Sequence, residues 1–165
     1  MFRIFGFTLA AVLATAAITV AADTPSEKKA CESEKFIGTY RIVSGEKDGE
    51  AIPKERLREI KVVIRKEAIL TYDREDNVLY AASYTLTPAE KACHIAMKST
   101  RPPGEGVSAS GLLGEVEGRV KLIYALPDGE APREFKTGRN QMLFVMQKTE
   151  SDTDIEEAET AEKAK

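Results

Sequence analysis

The residues that could carry out chemistry are few in this chain, and they do not form a recognisable catalytic set. His94 is the only histidine, and it directly follows Cys93. Neighbouring residues in a strand point to opposite faces of the sheet, so in a strand these two side chains would not form a nucleophile–base pair. A single histidine also excludes a histidine-rich metal site, and a Ser-His-Asp triad would depend on His94 alone.

Other signatures of catalysis or metal binding are missing from the sequence. It contains no G-x-S-x-G, C-x-x-C, H-E-x-x-H or Walker-type pattern. The acidic stretch "DREDN" at residues 73–77 lacks the spacing and the glycine of a calcium loop, and a polar turn explains it better. We therefore predict a protein that is not an enzyme and that holds no cofactor or metal.

Binding of a small apolar ligand has better candidates. Aromatic side chains are typical of the walls of ligand cavities, and they recur along several segments of this chain. The candidate cavity-lining residues are Tyr40, Tyr80, Tyr84, Tyr124 and Phe144. The same side chains would also fill the interior of a small barrel as ordinary core, and the sequence leaves both alternatives open.

The segments that must position these side chains are short and strand-like. About eight such runs are bounded by turn residues, among them Asp76-Asn77 and Glu117-Gly118. Sequential hairpins favour a closed up-and-down barrel over a sandwich. Pro53 suits the first position of one brief helix. The sequence predicts an all-β, about eight-stranded antiparallel up-and-down barrel with one short helix after the first strand.

Alternation along the strands gives more specific expectations. Residues at every second position of a strand share one face, so Tyr40 and Ile42 should both face the interior of the barrel. We expect Tyr40 to lie near Phe144 on the last strand, and the turn at residues 53–58 to cap one mouth of the barrel. The positions expected to alternate on one face of a later strand are Val78, Tyr80, Ala82, Tyr84 and Leu86.

The ends of the chain differ in character from its middle. Residues 1–22 combine Arg3, an apolar run and small residues at the end, which predicts a signal peptide cleaved before Asp23. A polar segment (23–35) then precedes the barrel domain (36–148), and the acidic tail (149–165) reads as disordered. We expect an exported protein, periplasmic, in the cell envelope or secreted, with no stable membrane span after cleavage. The domain is nearly neutral, which argues against nucleic acid as a partner.

Export bears on the state of the two cysteines. An even number of cysteines in an oxidising compartment suggests a bridge, here between Cys31 and Cys93. Such a bridge closes a loop of about 60 residues and would stabilise the fold by roughly 4 kcal/mol in the chain-entropy model. Two free thiols are the alternative.

Several of these segments carry a resemblance to a known family. Gly38 followed by Tyr40, the turn at Asp48-Gly49 before Pro53, and the run from Pro127 to Phe135 are similar to a bacterial lipocalin-like domain family of uncharacterised function, abundant in planctomycetes. The chain departs from the usual family pattern at Tyr40, Leu113, Ile123 and Ala131. The resemblance covers about residues 36–148 and implies a lipocalin-like barrel. It implies no reaction.

Two functions from different classes fit these observations. The first is an exported, non-catalytic binding module for a small apolar ligand. The second is a cell-envelope scaffold or protein-interaction domain whose barrel is solidly packed.

The processing site gives the first testable prediction. Because Val20 and Ala22 suit the −3 and −1 positions of a signal-peptidase site, the exported protein should begin at or near Asp23. N-terminal sequencing of the protein from its own cell envelope or medium checks this. An intact Met1 on a membrane-bound form would contradict it.

Overall fold

A computed structural model describes residues 31–149, in which nine strands form one antiparallel sheet. The predicted signal peptide (1–22), residues 23–30 and the tail beyond Thr149 lie outside the described residues. The strands are β1 (Gly38–Lys47), β2 (Glu50–Ala51), β3 (Lys61–Ile64), β4 (Ala68–Tyr72), β5 (Val78–Pro88), β6 (Cys93–Ser99), β7 (Ser108–Val116), β8 (Arg119–Ala125) and β9 (Gln141–Lys148).

The sheet closes on itself because β1 also pairs with β9. Eight strands form this closed barrel, and the two-residue β2 is an extra strand beside the end of β1. The single short helix, α1 (Lys54–Leu57), follows β2, and a 3-10 turn (Ser33–Phe36) precedes β1. The prediction of an all-β antiparallel barrel with one short helix after the first strand is confirmed.

The two ends of the barrel are formed by different segments. The 3-10 turn and the β3–β4, β5–β6 and β7–β8 hairpins lie at the end where β1 begins, which we call the plug end. The opposite end, which we call the mouth, carries α1, the turn at residues 73–77 and the loops at 100–107 and 126–140. Turn chemistry is as the sequence predicts at the hairpins, since Asp76 (φ 60°) and Glu117 (φ 54°) adopt the left-handed conformation that tight turns require.

Strict alternation holds along β6, where Cys93, Ile95, Met97 and Ser99 are buried and the residues between them are exposed. It fails at two bulges, where one strand carries an extra residue. In β1, Ile42 pairs with Met146 but Ser44 pairs with Val145. In β5, Tyr80 pairs with Thr71 but Val78 pairs with Tyr72. Val78 therefore lies on the opposite face from Tyr80, contrary to the expected alternation.

The bulge in β1 turns Gly45 toward the interior and brings α1 against it. A Cβ atom added to Gly45 would lie 3.1 Å from Cδ1 of Phe144 and 3.2 Å from Cδ1 of Leu57. Leu57 is buried in the main core cluster. The helical turn thus packs beside Phe144 at the mouth, as the sequence predicted for residues 53–58.

One expectation about Tyr40 is wrong. Tyr40 and Ile42 do share the interior face, and both are buried. Tyr40, however, lies opposite Lys148, whereas Phe144 lies opposite Gly45. The two aromatic rings therefore belong to opposite halves of the barrel, because antiparallel pairing places the start of β1 beside the end of β9.

A second apolar cluster lies on the outside of the barrel. Leu112, Ile123 and Leu143 are buried there on three adjacent strands, and Phe135 from the 126–140 loop packs against them. Residues 111–114 of β7 are consequently all buried, since both faces of the strand are covered at this point.

Close approach of β7 and β8 requires glycine at position 111. A Cβ atom there would lie 1.9 Å from the carbonyl oxygen of Ile123 and 2.8 Å from Cα of Tyr124, which are backbone atoms that cannot rotate away. We expect Gly111→Ala to destabilise the domain by about 2–4 kcal/mol, because the two strands must separate. Urea unfolding checks this, with Gly104→Ala as the control.

A Cβ atom at Gly104 meets nothing closer than the Ser99 Oγ at 3.6 Å, so this control should stay within about 0.5 kcal/mol of the wild type. Equal stability of the two variants would contradict the close approach of β7 and β8.

Candidate functional site

The plug end of the barrel is filled by the segment that precedes β1. Phe36 is 1% exposed, and its carbonyl oxygen accepts a hydrogen bond of 2.8 Å from the Tyr40 hydroxyl. Cys31 is bonded to Cys93 at the start of β6, with their Cα atoms 5.4 Å apart. The predicted disulfide is therefore confirmed, and it ties the plug segment to the barrel wall.

Polar contacts add to this closure. The Lys35 Nζ lies 3.4 Å from a carboxylate oxygen of Glu115 on β7, the strand next to β6, so the plug segment is held to a second strand of the barrel wall. The Tyr84 hydroxyl donates a hydrogen bond of 2.8 Å to the carbonyl oxygen of Arg65 in the β3–β4 hairpin, and Tyr84 is 6% exposed. Tyr40 and Tyr84 thus belong to the packed interior near the plug.

The other three candidate residues come together in the half that faces the mouth. The rings of Tyr124 and Phe144 lie 6.4 Å apart between centroids at an interplanar angle of 43°. The Tyr124 hydroxyl donates a hydrogen bond of 3.2 Å to the sulfur of Met142. Tyr80 forms a side-chain hydrogen bond with Ser99 and remains 36% exposed. We call Tyr80, Ser99, Tyr124, Met142 and Phe144 the mouth cluster.

The electrostatics of this cluster reflect its partial removal from water. Burial, and after it the neighbouring Tyr80, raise the pKa of Tyr124 to about 12. Burial also raises the pKa of Tyr80, against the opposing effect of its hydrogen bond with Ser99. Both hydroxyls are therefore neutral over the physiological range. The mouth cluster presents apolar rings with three neutral hydroxyl groups, those of Tyr80, Ser99 and Tyr124, and no charge.

The surface beside the mouth is also apolar. Leu79 and Val107 are 52% and 49% exposed, and they belong to neighbouring segments at this end of β5 and β7. Their neighbourhood is fixed by backbone hydrogen bonds from Thr100 to Ala81 and from Ser99 to Val107. Leu79 and Val107 thus add exposed apolar surface beside the mouth.

Sequence reasoning found part of the mouth cluster and missed the rest. In the sequence, aromatic character indicates the tyrosines and Phe144 as cavity-lining residues, but it does not indicate Ser99. Alternation of Cys93, Ile95, Met97 and Ser99 along β6 was the available signal, because it puts Ser99 on the interior face next to Tyr80.

The possible catalytic groups are arranged as the strand geometry predicts. His94 is exposed on the outer face of β6, while Cys93 faces inward and is bonded to Cys31. Within residues 31–149, no group of three or more histidine, cysteine, aspartate or glutamate side chains is placed to hold a metal ion. No helix in this part of the chain is long and apolar enough to cross a membrane.

The buried tyrosines make a prediction about high pH. Tyr84, through burial and then the nearby Glu34, also has its pKa raised to about 12. Absorbance at 295 nm should therefore show Tyr84 and Tyr124 ionising near pH 12, well above the usual value of about 10. Tyr124→Phe and Tyr84→Phe should each remove one of them.

The stability of the fold should follow the same titration. The folded pKa of Tyr124 lies above its unfolded value, so the stability that it contributes is fully present below about pH 10 and is lost as the pH rises through about 12. Ionisation of all the tyrosines together near pH 10 in the folded protein would contradict the burial of Tyr84 and Tyr124.

Comparisons of the chain with protein-family models, with curated proteins and with solved structures find no match.

Proposed function

We propose that this protein is an exported, lipocalin-like barrel that binds a small apolar ligand at the mouth cluster and catalyses no reaction. The single observation that carries the proposal is the exposure of Tyr80. It is a tyrosine on the interior face of a closed barrel that keeps 36% of its surface exposed, whereas its neighbour Tyr124 is partly buried and Ser99 is 4% exposed.

The closed end supports access from the mouth alone. Phe36, held by the Tyr40 hydroxyl and by the Cys31–Cys93 bridge, occupies the plug end, so a ligand would enter where α1 and the 100–107 loop surround the opening. An eight-stranded barrel has an interior just wide enough to hold side chains or one small ligand. Because the half near the plug end is packed with side chains, the half that faces the mouth is the place for such a ligand.

The chemistry of the mouth cluster suggests the ligand class. Phe144, Met142 and the tyrosine rings offer apolar, polarisable surface, and the neutral hydroxyls of Tyr80, Ser99 and Tyr124 offer polar groups at fixed positions. Binding sites for small molecules commonly combine such apolar walls with a few polar groups. An uncharged, largely apolar molecule with one polar atom fits this set, because a charged group would be left there without a counter-ion.

Export is part of the same proposal. A disulfide that joins two segments 62 residues apart is typical of an oxidising compartment. The apolar residues at 4–20 and the small residues before Asp23 favour delivery by a signal peptide.

A scaffold function is the second candidate, and a specific observation favours it. Met97, Leu113 and Met146 are at most 4% exposed, so much of the interior is solid core. Leu79 and Val107 are exposed beside the mouth, where a protein partner would make contact with them. In this reading Tyr80 belongs to the contact surface.

Titration with the uncharged fluorophore N-phenyl-1-naphthylamine tests the proposal. We expect the native protein to bind the probe with a 1:1 stoichiometry. Tyr80→Ala and Tyr124→Ala should weaken binding at least about tenfold, which corresponds to about 1.4 kcal/mol. Tyr80→Ala should leave the unfolding midpoint nearly unchanged, because its side chain is partly exposed.

The matched control is Tyr72→Ala, which removes a tyrosine from the outer face of the barrel. It should leave probe affinity unchanged. Failure of the native protein to bind the probe, or equal losses with Tyr72→Ala, would overturn the ligand-binding proposal. A self-association or partner interaction abolished by Leu79→Ser would then favour the scaffold function.

A further inference from the structure

The outer face of β1, β3 and β4 carries an open groove of about 1030 Å³, and none of the mouth-cluster residues lines it. Its walls are rich in positive charge. We call it the basic groove and define it by its five cationic side chains, Arg41, Arg58, Lys61, Arg65 and Arg74.

The acidic side chains of the groove are already engaged. Asp76 forms an ion pair with Lys61, and Glu59 lies 3.3 Å from Arg74. Asp73 stabilises the turn in which it lies. Its carboxylate accepts hydrogen bonds from the Asn77 side chain and from the backbone amides of Asn77 and Glu75. These hydrogen bonds, with that of the Asn77 side chain first, lower the pKa of Asp73, so it remains ionised in its turn.

Three arginines are left without an acidic partner in the part of the chain that the structure describes. No ion pair between residues 31 and 149 involves Arg41, Arg58 or Arg65. Arg41 donates a hydrogen bond of 2.8 Å to the neutral side chain of Gln147, and all three arginines are exposed. The basic groove therefore has an excess of positive charge directed at solvent.

The C-terminal tail begins at this groove. Thr149 is one of the residues that line it, and both its backbone amide and its hydroxyl donate hydrogen bonds to the carbonyl oxygen of Thr39, at 2.8 and 3.0 Å. Residues 150–165 follow directly. They contain seven acidic residues and two lysines, and both lysines come at the very end.

The spacing of the first acids suits an elongated basic surface. Glu150, Asp152, Asp154 and Glu156 occupy every second position, so in an extended chain their carboxylates would lie on one side. Ten extended residues reach about 33 Å, which is more than the width of three strands at about 4.8 Å each. The tail can thus reach every arginine of the groove.

We propose that residues 150–159 of the chain's own C-terminal tail dock in the basic groove, with their carboxylates paired to Arg41, Arg58 and Arg65. Each exposed ion pair is weak, at about 0.2–1 kcal/mol. Attachment at Thr149 gives the tail an effective concentration in the millimolar range, so three or four weak pairs suffice to hold it. The contact shields this face from other anions and loosens as salt screens it.

Cleavage of the tail by a glutamate-specific protease tests this inference in the full mature chain. Docking should slow cleavage at residues 150–159 on the order of tenfold at low ionic strength, relative to the triple variant Arg41→Glu/Arg58→Glu/Arg65→Glu. The difference between the two proteins should disappear in 0.5 M NaCl, where the screening length falls to a few ångströms.

A charge-matched variant controls for the overall attraction between protease and substrate. Lys98→Glu/Arg119→Glu/Arg133→Glu reverses three exposed charges that do not line the groove, and it should keep the protection of the wild type. Equal cleavage rates for the wild type and both variants at low salt would overturn the proposal.

A second measurement needs no substitution in the barrel. In amide NMR spectra, a chain that ends at Thr149 should differ from the intact chain at Thr39, Arg41, Val63 and Arg65, and high salt should shift the same signals of the intact chain toward those positions. Differences confined to residues 147–149 would refute docking in the same chain. If an added poly-glutamate peptide then binds the groove of the intact chain, the surface serves a separate acidic partner and the proposed occupant is wrong.

Discussion

The pairing of β1 with β9 is the interaction on which the rest of the molecule depends. Seven residue pairs, from Tyr40 opposite Lys148 to Lys47 opposite Met142, join the first strand to the last and remove the free edges of the sheet. Once the sheet is closed, each side chain of a strand faces either the interior of the barrel or its outer surface. Which side chains come together to form a site then depends on which residues lie on the same face of the sheet and at the same level along the barrel axis.

Closure also explains why the two halves of the interior differ. The chain enters beside the start of β1, so Phe36 and the disulfide-linked Cys31 fill one end, and Tyr84 and Met97 pack into the same core. This half supplies the rigid core against which a site can be held. At the opposite end, the bulge in β5 and the long loops leave Tyr80 partly in water. The plug end of the barrel thus contributes most to stability, whereas the mouth is the end at which interior side chains are accessible to solvent.

The outer surface is divided in a similar way. On β7, β8 and β9, the 126–140 loop covers an apolar cluster centred on Ile123, so this wall is part of the stable structure. The outer face of β1, β3 and β4 carries the basic groove, and Thr149, which follows β9, lies in its lining. Closure of the barrel thus places Thr149, from which the acidic tail continues, beside the cationic side chains of the groove.

Local rules made much of this fold predictable. The turns at Asp76 and Glu117 and the alternation along β6 depend on residues that are close together in the sequence. The pairing of the cysteines follows from there being two of them. A single sequence carries both kinds of information. Only the tertiary structure decided which aromatic residues meet. The bulges at Val43 and Leu79 and the stagger of β1 against β9 separate Tyr40 from Phe144, and they bring Tyr80 to Tyr124 and Ser99. Register between distant strands is a property of the closed sheet, because it depends on packing summed over all eight strands.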